Sequence, residues 1–304
     1  MQLFIFSSFI FVFFLVFPIN GDADGDRYNS NPDTGYFGRM DKVLFDANAT
    51  DTTIATDMII RNVFGLMDMK SEIKVFENRD SLVKGLSENR LDAVFVNTID
   101  FIELEHLINP DFLYTLIYGQ TAEQKVYLLT RKSDNIIDIS HLRGKSISIP
   151  KGHYLGMRFL EVLLLKQGLP ATDKYFSHTQ ETIDTNTAIV NLFFGKSDCA
   201  LVSDIAFDLA GELNPQLKNT LAVTTTSKPM IPQVIAINKN VPAKFTNKVD
   251  NFLVKSHKNI RIKHLLSLFR AKRFVKLDLE TIYQTRALLD EYNKLSNSSS
   301  SNNQ

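Results

Sequence analysis

The 304-residue chain has a single cysteine, Cys199. A disulfide within the chain is therefore impossible, and so is a metal site built from cysteines. Cys199 lies in the apolar run Cys199–Val202, which marks it as a buried thiol rather than a nucleophile. The six histidines are scattered, with no HxxxH or HxH pair, so no metal site is expected. Net charge is lacking as well: 34 Lys+Arg balance 34 Asp+Glu. A protein that grips phosphate backbones keeps a basic excess, so nucleic acid is not an expected partner. No GxSxG, no P-loop and no GxGxxG occurs. These absences leave no catalytic residue and no cofactor to assign, and the chain is not expected to be an enzyme.

Long apolar runs are also scarce. The one present is Leu3–Phe17, LFIFSSFIFVFFLVF, followed by a polar stretch rich in Gly, Asp and Asn. It resembles the core of a secretory signal peptide, with cleavage expected near Gly21 or Ala23 in the small-x-small pattern Gly21-Asp22-Ala23. No Lys or Arg precedes the run, and an uncleaved anchor is the rival. About 15 helical residues reach only about 22 Å, short of a ~30 Å hydrocarbon core. No cysteine follows the run, so a lipoprotein anchor is excluded. Export with cleavage is the expectation: 1–23 a signal peptide, then 24–39 a flexible lead-in.

What remains is ordinary globular composition, 44% hydrophobic and 22% charged, in a chain long enough to bury a real core. From Lys42 onward short apolar runs alternate with helical spacings. Strands are expected at Lys42–Ala47, Glu72–Phe76, Ala93–Val96, Phe112–Tyr118, Lys125–Arg131, Ser146–Ile149, Lys174–Ser177 (weak), Cys199–Val202, Thr220–Thr225 and Gln233–Asn238. Helices are expected between them. The first, Ile54–Leu66, has an apolar face of Ile54, Met58, Ile59, Val63 and Leu66. The most informative is Tyr154–Gln167, entered from a strand through the Pro150–Gly152 break. Three helices follow the last strand: Ala243–Ser256, Ile260–Phe269 and Leu279–Lys294. Residues 296–304, all Ser, Asn and Gln, are expected to be disordered. Such alternation predicts α/β architecture with mostly parallel sheets.

Two stretches echo one another. Ser81–Thr98 (SLVKGLSENRLDAVFVNT) and Thr187–Asp204 (TAIVNLFFGKSDCALVSD) each give a helix, a turn, an Asp (Asp92, Asp198), a four-residue apolar strand and a polar pair. The pairs are Asn97-Thr98 and Ser203-Asp204. Polar groups at the C-terminal ends of buried strands are where open α/β sheets hold ligands; they also cap the helices that follow. Two similar lobes facing one another would bring both pairs to one cleft. The chain would cross between lobes at Tyr118–Lys125 (YGQTAEQK) and Thr226–Gln233 (TSKPMIPQ). Lobe 1 is then 40–121 plus 232–295, and lobe 2 is 122–231.

Four segments, in order and spacing, carry a family resemblance: FDANATDTTIATDMI, LVKGLSENRLDAVFVNTIDF, YLLTRKSDNIIDISHLRGKSISIPKG and FFGKSDCALVSD. Through them the chain, over about Lys42–Val254, is similar to the periplasmic solute-binding proteins of the phosphate/phosphite/phosphonate ABC-transporter type. The resemblance implies a two-lobed, type 2-like periplasmic-binding-protein fold, each lobe a mixed sheet flanked by helices. A two-segment hinge would let the lobes close on a small ligand. In phosphonate binders the loop opening the long helix of the second lobe reads Ser-Thr-Ser-Gly, and its hydroxyls and N–H groups hold the phosphonate. The matching positions here are His153-Tyr154-Leu155-Gly156. Gly156 matches and the hydroxyls do not, so a phosphonate-like ligand would be held differently.

The candidate ligand-binding set is Asn48, Asp51, Thr52, Asn97 and Thr98 on lobe 1, with Lys151, Gly152, His153, Tyr154, Ser203 and Asp204 on lobe 2. Gly152 permits close backbone approach, and a helix N-terminus favours an anion. Asp51 and Asp204 suit an amino group instead, so an anionic or zwitterionic ligand fits. The expected function is an exported, monomeric, periplasmic binding protein delivering a small polar solute to a membrane permease. The alternatives are a ligand sensor for a membrane receptor without transport, and an enzyme on the same fold.

Overall fold

The computed structural model describes residues 33–40, 49–268 and 271–301. The expected signal peptide and the expected strand Lys42–Ala47 lie outside them, as does residue 48. Among the described residues no helix is long and apolar enough to cross a membrane.

The strands are β1 (Thr34–Met40), β2 (Lys70–Phe76), β3 (Ala93–Asn97), β4 (Ile108–Ile117), β5 (Val126–Arg131), β6 (Ser146–Pro150), β7 (His178–Thr182), β8 (Cys199–Ser203), β9 (Leu221–Thr226), β10 (Gln233–Asn238) and β11 (Arg273–Leu277). The helices are α1 (Ala49–Gly65), α2 (Arg79–Ser87), α3 (Thr98–Leu104), α4 (Tyr154–Lys166), α5 (Thr172–Tyr175), α6 (Thr185–Phe193), α7 (Asp204–Leu213), α8 (Pro215–Thr220), α9 (Ala243–Lys255), α10 (Ile260–Leu268) and α11 (Tyr283–Ser301). The strands form two sheets, ordered β11-β4-β10-β3-β1-β2 and β7-β6-β8-β5-β9. The chain leaves the first sheet after Ile117, enters the second at Val126, leaves it after Thr226 and returns at Gln233. Gln124 and Met230 bridge these two passages, each donating its N–H to the other's carbonyl at 2.8 and 2.9 Å.

The α/β class with two mixed, helix-flanked sheets agrees with the sequence reading, but "mostly parallel" does not. The first sheet has two parallel and three antiparallel pairings, the second two of each. The antiparallel pairings come from β4 and β5, next to the first passage, and from the strands they and β10 pair with. Strands joined by helices keep their direction; those reached through a passage come back reversed.

The echoed segments are equivalent in detail. Tyr36 donates its N–H to the Asp92 carboxylate at 2.7 Å, and Asp92 N–H returns to Tyr36 O at 2.8 Å. Ser146 donates its N–H to Asp198 Oδ2 at 2.8 Å, and Asp198 N–H returns to Ser146 O at 3.1 Å. In each half an aspartate at a turn staples a strand (β3, β8) to its parallel neighbour (β1, β6). Cys199, just beyond, is a free, fully buried thiol.

Four local expectations are corrected. Thr34–Met40, read as lead-in, is the strand β1, with Thr34, Phe37 and Arg39 buried and Arg39 paired to Asp57 at 3.0 Å. In α1 the buried apolar residues are Ile59, Ile60, Val63 and Phe64, while Ile54, Met58 and Leu66 are exposed; the helix has apolar residues on both sides and α10 packs on it. Residues 174–177 are not a strand: the helical turn Thr172–Tyr175 precedes β7. The Ser-rich tail, read as disordered, stays helical to Ser301.

That last helix touches both halves. Ile282, just before it, is buried in the first core, and Arg286 pairs with Glu105 beside α3. Further on, Leu288 packs on the second core, Glu291 pairs with Lys166 at 2.9 Å, and the Arg158 guanidinium sits 3.6 Å over the Tyr292 ring. Ile99 of α3 also packs against the second core.

Candidate functional site

The turn into α4 is built around Gly152, whose φ of +84° lies where a side chain is strained. His153 N–H closes the turn onto Pro150 O at 3.1 Å, and Lys151 N–H ties it to Thr182 O at 2.9 Å. His153 is the helix cap: its Nδ1 accepts the Gly156 N–H at 2.9 Å. The ring is 1% exposed, and burial lowers its pKa to about 3, so it is neutral at physiological pH. Gly156 has to be glycine, because a Cβ there would stand 2.0 Å from His153 Nδ1. One N–H of this helix start is therefore taken by the chain's own imidazole.

The strand end of the second echoed segment, on β8 beside β6, holds Ser203, buried, with its Oγ accepting the Ala206 N–H at 3.2 Å as cap of α7. Asp204 follows. Its N–H donates to Lys125 O at 2.9 Å, and its Oδ1 accepts the Ile205 N–H. Burial raises the Asp204 pKa, against the pull of hydrogen bonds from the Lys125 and Ile205 backbone.

His153 and Ser203 line one hollow, together with Gln124, Lys125, Met230 and Pro232 from the two passages. Asn97 and Thr98 stand behind its Pro232 wall. Thr98 N–H donates to Pro232 O at 3.2 Å and its Oγ1 to Ile231 O, while Asn97 pairs in register with Gln233. The Asn97 amide is engaged by Asp100, accepting its N–H at 2.9 Å and donating to its carboxylate at 2.6 Å. Lys151, Gly152, Tyr154 and Asp204 adjoin the lining residues without lining the hollow. Asp51 and Thr52 fall in the first turn of α1, where only the backbone is described, and Asn48 lies outside the described residues. The lining residues of the passages were not singled out from sequence, although the passages themselves were.

A second hollow lies elsewhere, wholly apolar, between the first sheet and helices α1 and α9, over Phe37, Ala93 and Phe95. Thr56 and Tyr114 are among its lining residues, but almost no polar surface faces it, and the same is true of the hollow at the passages. Among the described residues no group of three or more His, Cys, Asp or Glu is placed to hold a metal.

The family model of phosphonate ABC-transporter periplasmic substrate-binding proteins matches residues 57–282. The chain belongs to that family. Family members are the substrate-binding components of transport systems. No curated protein matches the sequence. Among solved structures, PhnD1 of Prochlorococcus marinus in complex with methylphosphonate is similar at a TM-score of 0.65 with 16% identity, over 87% of this chain and 100% of that one. A Xanthomonas citri protein bound to ATP matches at 0.65 with 13% identity, over 87% and 98%. A binding-protein component of a Pseudomonas aeruginosa ABC phosphonate transporter matches at 0.57 with 12% identity, over 89% and 99%. At such identities the likeness is one of fold. Within this family of substrate-binding proteins, the chain has His153 as the cap of α4.

Proposed function

We propose that the protein is an exported binding component that captures a small polar solute between two lobes, 40–121 plus 232–295 and 122–231, and passes it to a membrane permease. The observation behind this is the meeting at the two passages, where capped helix starts from one sheet face the Pro232 wall that Thr98 holds from the other; the hollow there measures ≈ 10 Å³, room for about one water, so a solute enters only when the halves part. A hinge made of two short passages lets such halves part and close. The helix starts favour negative charge, but the His153 imidazole is neutral and already bonded to one of them. A zwitterion or a weakly charged solute suits this better than a bare dianion. The signal peptide would be removed near Gly21 or Ala23, and the mature protein would act as a monomer without catalysis.

A thermal-shift screen of the purified mature protein against phosphonates, phosphate, sulfonates and amino acids tests the reading. A true ligand at 100 times its Kd adds about 2.7 kcal/mol of stability, and His153→Ala is expected to remove that shift while the protein still folds. A ligand whose shift survives the substitution places binding elsewhere.

A further inference from the structure

The chain is neutral overall, but its charge is not spread evenly. Residues 239–276 hold 11 of the 34 Lys+Arg and only one of the 34 Asp+Glu, Asp250. Such asymmetry within a neutral chain marks a surface for a negatively charged partner. The segment forms α9, α10 and β11. Phe245, Val249, Leu253, Ile262 and Leu266 bury the apolar sides of the two helices, and Lys244, Lys248, Lys255, Lys258, Arg261 and Lys263 are left exposed. Asp250 does not offset them: its Oδ1 accepts the Tyr114 hydroxyl at 2.6 Å and lies 3.1 Å from Lys276 Nζ. Among the described residues, no other basic side chain of the segment is in an ion pair with a carboxylate.

We infer that this basic face docks on a membrane surface of anionic phospholipid. Two features distinguish a bilayer from other polyanions. Val254, 47% exposed, and Ile260, 65% exposed, flank the turn at Lys255–Lys258 that joins the helices. An open hollow of ≈ 390 Å³ lies at the same turn, lined by Asn251, Phe252, Lys255, Ser256, Lys258 and Asn259. Ammonium and amide groups donate to phosphate oxygens, so the hollow suits a lipid headgroup. Cations around exposed aliphatic side chains suit the layered chemistry of a bilayer: phosphates meet the charges while Val254 and Ile260 reach the acyl boundary. A nucleic-acid backbone offers the same phosphates but no apolar layer for the aliphatic pair. This docking goes beyond solute capture and does not depend on which solute binds.

The test is flotation of the mature protein with vesicles of phosphatidylcholine, alone or with about 30% phosphatidylglycerol. Binding is expected to the anionic vesicles only, and is expected to vanish at about 1 M salt, where the Debye length is about 3 Å. Each Lys or Arg near an anionic surface is worth about fivefold in affinity. Combining Lys255→Gln, Lys258→Gln and Arg261→Gln should therefore weaken binding about a hundredfold. Combining Arg143→Gln, Lys174→Gln and Lys196→Gln removes as much charge from the second sheet's side of the molecule and should weaken it less than about fivefold. All six side chains are exposed, and thermal melting checks that both variants fold. Should the first variant fail to fold, the lipid and salt dependence of the wild type decides. No flotation with anionic vesicles, equal flotation with neutral ones, or equal losses in the two variants overturns the inference. Tighter binding of the wild type to duplex DNA or to polyglutamate than to the anionic vesicles also overturns it and assigns the face to that class of partner. Solute capture stands in each case, because the thermal-shift screen tests it separately.

Discussion

Acid should destabilise this protein through one side chain. His153 is buried, and its pKa is lowered to about 3, whereas an imidazole in an unfolded chain titrates near 6.5. The folded state thus binds that proton less well than the unfolded state. The stability tied to the neutral ring is complete above about pH 6.5 and is lost as pH falls toward about 3. The slope cannot exceed about 1.4 kcal/mol per pH unit for one group, so from about pH 6.5 to about 4.5 the loss is about 2 kcal/mol. His153→Asn isolates it. Asparagine caps helices well and can still accept the Gly156 N–H, but it does not titrate. The variant should be weaker at neutral pH by about 1–2 kcal/mol through lost packing, with a shallower acid limb. Urea unfolding of both proteins across that pH range gives the two slopes. Parallel slopes would falsify the assignment of a buried, neutral His153, whatever the absolute stabilities.

Gly156→Ala should cost more than the ~1 kcal/mol of a lost cap, because the new Cβ would stand 2.0 Å from His153 Nδ1 and 2.9 Å from Leu201; thermal melting shows it, and an unchanged Tm contradicts the packing described. At Asp198, burial pushes the carboxyl up, but the Ser146 N–H and hydroxyl, with Lys145 and Arg131, outweigh it and hold the pKa below its usual value. Asp198→Asn should therefore weaken the protein at neutral pH, and its deficit against the wild type should shrink as pH falls below about 3.9, where the carboxylate protonates in the unfolded chain before it does in the folded one. The apolar hollow over Ala93 measures ≈ 60 Å³. At roughly 24 cal/mol per Å³ it costs about 1.4 kcal/mol, so Ala93→Val should raise the urea midpoint, and a fall would mean that the space is not available to a methyl group.

Much of the fold was legible where burial is continuous. AVFV and CALV are four apolar residues between an aspartate and a polar pair, and only a buried strand accommodates that; both appear as β3 and β8. The echo between them held down to the aspartate staples. β1 was hidden because TGYFGRM carries glycines and an arginine, and what permits Arg39 inside is Asp57, 18 residues away. β11, RFVKL, was hidden by basic residues at an edge position. The helical tail was missed because Ser and Asn usually signal disorder. For the site, strand-end logic reached His153 and Ser203, and it reached the residues that hold the Pro232 wall. It could not reach Gln124, which lies in no periodic element and gains meaning only through its bridge to Met230.

The most direct test of where the solute binds is a crystal structure of the mature protein grown with whichever compound of the thermal-shift screen stabilises it. The compound is expected between the His153 and Ser203 helix starts and the Pro232 wall, with the two passages moved apart to admit it. The compound bound on another surface, with this hollow unchanged, would contradict the assignment.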